Sequence, residues 1–116
     1  MNSIIYDKAL EFAVKIVRLS KELRGLNEFE LASQVLRCGT SIGANVAESK
    51  YAQSNKDFVS KMAIARKEAN ETIYWLTLLA KSEILPKEAL RPLASEAGKL
   101  TKILTSIILT SLAKGE

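Results

Sequence analysis

Residues 5–23 read IYDKALEFAVKIVRLSKEL, and their spacing decides the fold. Ile5, Ala9, Phe12, Ile16, Leu19 and Leu23 follow one another at steps of four, three, four, three and four. An α-helix completes a turn about every 3.6 residues, so these side chains form one line that only a neighbouring element can cover. Leu10, Val14 and Val17 widen the apolar face beyond what one partner helix covers. Lys8, Glu11, Lys15, Arg18 and Glu22 fall on the opposite side. The pattern predicts a helix from an N-cap at Ser3 to about Arg24, ended by Gly25 in the left-handed conformation.

The same period recurs downstream. Asn27 with Glu30 has the spacing of a capping box, and Leu26 with Leu31 that of a hydrophobic staple. They open a second helix whose buried line is Ala32, Val35, Gly39, Ile42 and Val46. Gly39, Gly43, Ala44 and Ala47 are small, and a helical glycine costs about 1 kcal/mol against alanine. Close approach of a neighbouring helix accounts for them, because a phosphate-binding glycine loop needs a strand before it. After a frayed stretch between Ser49 and Gln53, Ser54 and Asp57 make a second capping pair. A third helix, about Asn55 to Ser82, runs on Phe58, Met62, Ala65, Ala69, Thr72, Leu76 and Leu79, with a side line of Ile64, Glu68, Glu71, Trp75 and Leu78. Pro86 suits the first position of a fourth helix on Leu90, Leu93, Ala97, Leu100, Leu104 and Ile107, with a kink or break expected near Arg91 because Pro92 lacks an N–H. Four amphipathic helices on short turns pack as an all-α, antiparallel up-and-down four-helix bundle, here a single domain over residues 1–116.

Composition narrows the function classes. The chain has 17 basic and 13 acidic residues, a net charge of +4, and no histidine. The commonest general base near neutral pH and the commonest zinc ligand are therefore missing. One cysteine, Cys38, can neither staple the fold nor build a thiolate cluster. The N-terminus lacks a basic stretch followed by an apolar run, and Ile103 to Ala113 is too short to span a bilayer, so a cytoplasmic protein without membrane partners is expected. Glu68 and Glu71 lie one turn apart, with Glu48 on the helix before, but a bundle di-metal site draws on Glu-x-x-His pairs. Pairing with Lys67, Lys61 or Asn45, or a polar subunit contact, is the simpler role for these carboxylates. Cys38, Thr40 and Ser41 have no base at a helical neighbour position, so no catalytic residue, metal or cofactor is assigned.

Charge is unevenly spread: +2 over residues 1–25, −2 over 26–49, +3 over 50–82 and +1 over 83–116. Lys15, Arg18, Lys56, Lys61, Arg66 and Lys67 thus concentrate on the first and third helices. A ring of subunits would multiply the phosphate affinity of such a patch, since each neutralised phosphate adds to counterion release. Ile103, Leu104, Ile107, Ile108, Leu109 and Leu112 surround more of the last helix than one core face hides, which marks a contact between copies. The expected interface takes in Trp75, Ile103, Ile108, Leu109 and Leu112.

The stretch from Arg37 to Glu48, RCGTSIGANVAE, resembles the four-helix-bundle family encoded in intervening sequences of bacterial 23S ribosomal RNA. Ser54 to Ala69, SNKDFVSKMAIARKEA, and Glu71 to Leu76, ETIYWL, resemble the family's second block, with Ser49 departing from a frequent glycine. The resemblance implies an up-and-down bundle that assembles as a ring-shaped homopentamer. It also implies kinship with the accessory proteins of diversity-generating retroelements, basic barrels that bind nucleic acid and a reverse transcriptase. Arg37 and the third-helix lysines are the positions placed to inherit a nucleic-acid role, and the family offers no catalytic residues to transfer. The expected function is that of a non-enzymatic homo-oligomer binding RNA or DNA through a composite basic surface. The alternative is a scaffold or accessory subunit whose partner is a protein.

Overall fold

The computed structural model describes residues 3–115, with the backbone alone at Ser3. Four helices follow in order: α1 (Ser3–Gly25), α2 (Phe29–Ser49), α3 (Asn55–Lys81) and α4 (Lys87–Lys114). Each packs on the next, α4 returns more loosely to α1, and α1 and α3 occupy diagonal corners. The result is an all-α bundle of 48 × 20 × 19 Å.

All six residues of the α1 line are buried, and they meet Val35, Ile42 and Val46 of α2, Met62, Leu76 and Leu79 of α3, and Leu100 and Leu104 of α4 in one core. Closeness between α1 and α2 depends on Gly39. A methyl group built there would stand 2.7 Å from Cγ2 and 2.8 Å from Cγ1 of the buried Ile16. Gly43 is less constrained, since its Cβ would meet Ala9 at an ordinary 3.5 Å. Ser20 ties the same pair of helices by donating to the Ala32 carbonyl at 3.1 Å.

The helix ends depart from expectation in the first connection. Gly25 stays inside α1, and Asn27 takes the left-handed conformation at φ 63°. The N–H of Glu28 then reaches the Leu23 carbonyl at 2.9 Å, and that of Asn27 the Arg24 carbonyl at 3.0 Å. This pair of bonds is a Schellman closure, and asparagine is one of the few side chains that tolerate the geometry. Asn27 therefore ends α1 rather than capping α2, whose N-cap is Glu28 without a side-chain bond, and Leu26 is left exposed instead of stapled. The Ser3 cap lies outside the described side chains. At α3 the expected cap forms: Ser54 Oγ accepts the Asp57 N–H at 3.0 Å, and Asp57 accepts the Gln53 N–H at 3.1 Å. A second Schellman closure ends α3, with Glu83 left-handed at φ 59° and Ile84 N–H bonded to the Leu79 carbonyl. Pro86 is the N-cap of α4 rather than its first residue, and the helix runs through Pro92 without the expected break.

Candidate nucleic-acid interface

The seven basic residues picked out by sequence do not form one patch on a single chain. Lys15 reaches across to Glu96 of α4 at 2.8 Å. Lys61 sits one turn from Asp57, at 3.7 Å. Arg66, half-buried, donates to Thr105 Oγ1 at 3.3 Å and so joins α3 to α4. Arg18, Lys56 and Lys67 are exposed, and among the described residues no ion pair involves them. These three sit on α1 and α3, the diagonal helices, so Arg18 is held apart from Lys56 and Lys67.

Arg37 has a different environment. Its guanidinium spans α2 and α3, meeting Glu68 at 3.4 Å and Glu71 at closer range, with Gln34 at 3.3 Å on its own helix. Trp75 completes the cluster by donating its indole N–H to Glu71 at 3.3 Å. Burial opposes the Arg37 charge, but the hydrogen bond and field of Glu71, with the field of Glu68, outweigh it and raise its pKa above the ordinary guanidinium value. One cation between two carboxylates leaves the trio net negative, so Arg37 is better placed to lock α2 to α3 than to hold a phosphate. The expected pairing of these carboxylates with Lys67, Lys61 or Asn45 is corrected by this geometry. Lys61 is taken by Asp57, and Asn45 bonds the Ser41 carbonyl at 2.9 Å. Helical periodicity puts Glu68 and Glu71 on one line but says nothing of how α2 is rotated against it.

Glu48 is exposed and stands outside this cluster; among the described residues, no three His, Cys, Asp or Glu side chains gather as a metal ion would need. Cys38 is fully buried under the cluster. Burial is the main cause that pushes its thiol pKa above 9.0, against a lowering hydrogen bond with Thr72.

The expected subunit interface divides. Leu109 is 61% exposed and Leu112 57%. Ile108 belongs to the chain's own core, while Ile103 and Trp75 lie half-buried against it. Tyr6, Leu10, Val14 and Val17 form an exposed stripe along α1 that the expected interface did not include. Its signal was the surplus width of the α1 apolar face. Among the described residues, no helix is long and apolar enough to cross a membrane.

The profile of the 23S rRNA-intervening sequence protein family matches residues 1–106 of the chain. The fold is similar to the 1.70 Å crystal structure of a protein with unknown function from the S23 ribosomal protein family of Bacteroides thetaiotaomicron VPI-5482. The two share 48% identity at a TM-score of 0.87, over 90% of this chain and 97% of the other. No curated protein matches the chain.

Proposed function

The chain belongs to the family of 23S rRNA-intervening sequence proteins, and on that premise we propose that it works as a non-enzymatic homo-oligomer, a pentamer, binding RNA through a basic surface pooled from several copies. The observation that carries this reading is the separation of Arg18 from Lys56 and Lys67 on diagonal helices. On one copy these three residues offer a phosphate backbone only isolated contacts, and a ring repeats each of them around an axis. Affinity then depends on assembly, and it falls steeply with salt because every neutralised phosphate releases counterion.

The test is a salt titration of binding to a structured ribosomal RNA fragment, with assembly followed by light scattering. The reading expects binding at low ionic strength that weakens as salt rises, and a shallower slope for Arg18→Gln with Lys67→Gln. Absent binding at low salt, or binding indifferent to salt, would sink it. The ion pairs of Lys15, Arg37 and Lys61 favour a second reading, a scaffold that contacts a protein such as a reverse transcriptase and not the nucleic acid. Recovery of a defined protein complex free of RNA would select that reading.

A further inference from the structure

Between the last turns of α3 and the first turns of α4, beside the loop that joins them, the surface opens into a groove of about 370 Å3. Its floor is apolar: Leu76 and Leu90 close it from below and are buried, while Ala80 and Ala94 are half-buried. The two alanines keep it open, because their side chains end at a methyl where larger ones would fill the space. Three cations stand around it, Lys81 from α3 and Lys87 and Arg91 from α4. All three are exposed, and among the described residues no ion pair or hydrogen bond engages them.

Local structure gives these charges no other task. The carbonyls that end α3 are already met by the Ser82, Glu83 and Ile84 N–H groups, so Lys81 is not needed to close the helix. Lys87 and Arg91 occupy the first turns of α4, the positive end of its dipole, where an anion is favoured and a cation is not. No side chain caps that end. Glu83 and Glu88 are the neighbouring carboxylates, and neither lines the groove. Glu83 belongs to an adjoining cleft with Ile84 and Pro86, and Glu88 lies about 100° around α4 from Lys87.

An apolar floor under a positive rim fits a molecule with an apolar body and one anionic head. The dimensions favour a small one. Leu76 to Lys81 covers about 8 Å of α3, and Lys87 to Ala94 about 10 Å of α4. Only the α4 wall offers the two turns over which a docked amphipathic helix sets its anchors. Among the described residues the lining holds no aromatic ring on which a nucleobase would stack. We infer that this groove binds a small aliphatic carboxylate, its acyl chain lying on Leu76, Ala80, Leu90 and Ala94 and its head among Lys81, Lys87 and Arg91. The site is complete on one copy, so it stands or falls separately from the nucleic-acid reading above.

Octanoate below its micelle concentration is the probe, followed by calorimetric titration and by thermal unfolding. Octanol and octylammonium keep the chain and change the head, while acetate and inorganic phosphate keep an anion and lack the chain. The expected result is one octanoate per chain, bound roughly tenfold or more tighter than any of these four, with an unfolding midpoint that climbs with octanoate concentration. Lys87→Gln with Arg91→Gln should weaken octanoate about fivefold or more. Ala80→Leu with Ala94→Leu fills the groove, leaves the three cations in place and should abolish binding. If the filled variant does not fold, the charge variant carries the test alone, since it alters only exposed side chains. Octanol or octylammonium bound as tightly, or several octanoates per chain, would mean indifferent contact with apolar surface and would overturn the inference. Phosphate bound as tightly would assign the cations to phosphate and overturn it too, as would a folded variant of either kind that binds octanoate like the unaltered chain.

Discussion

At the scale of single residues, Gly39 and Gly43 separate two reasons for a helical glycine. Ile16 is branched where a methyl at position 39 would meet it and is fully buried, so it has no room to yield. Gly39→Ala should destabilise the chain by about 1–3 kcal/mol, as overpacking does, with the loss reduced in an Ile16→Ala background. Gly43→Ala meets only ordinary contact and should gain up to about 1 kcal/mol of helix propensity. Urea unfolding of Gly39→Ala, Gly43→Ala, Ile16→Ala and the Ile16→Ala/Gly39→Ala double variant reads both signs. Cys38 gives a second residue-level expectation. Its folded pKa lies above its unfolded value, so its contribution to stability is complete below pH 9.0 and is lost as pH rises through the folded pKa. Thiol-labelling should stay slow at neutral pH until the chain unfolds, and Cys38→Ala should flatten the fall in stability above that pH.

Among the elements, the end of α3 holds a removable strain. Glu83 is left-handed at φ 59°, a conformation that costs a side-chain-bearing residue about 1–2 kcal/mol. Glu83→Gly should raise stability by about 1 kcal/mol, while Asn27→Gly should change it less because asparagine already tolerates the geometry. Thermal unfolding of the two variants compares them side by side. Asn27 also shows where sequence reading reached its limit. An asparagine three residues before Glu30 fits an N-cap, yet the same short polar side chain fits the end of the preceding helix. Only the path of the chain between α1 and α2 chooses. Elements specified by redundant signals were legible, as in the six-residue α1 line and the Ser54–Asp57 cap. The Arg37 bridge was not, because it depends on the relative rotation of two helices, which periodicity leaves open. The separation of the basic residues was hidden for a related reason. Charge counted along the chain says that α1 and α3 are basic, and only the order of packing puts them on a diagonal.

For the molecule as a whole, the homo-oligomer proposed above would cover exposed apolar side chains such as Leu10 and Leu109 and so tie stability to assembly. Association that buries them favours the folded state by mass action, so the unfolding temperature should climb with protein concentration. A differential scanning measurement across a hundredfold dilution series checks this, and a midpoint independent of concentration would mark a self-sufficient single copy. The family assignment and the similarity to the Bacteroides thetaiotaomicron structure establish the architecture, and the proposed role rests on how copies of that architecture combine.

The looser return of α4 to α1 gives the bundle an order of opening. Three of its seams are drawn tight and the fourth is bridged at its surface by Lys15 and Glu96. Such a cylinder parts like a book along that looser edge, with α2 and α3 as the spine. Amide protons of α1 and α4 should therefore exchange with deuterium earlier than those of the middle pair, through partial openings that leave the spine intact.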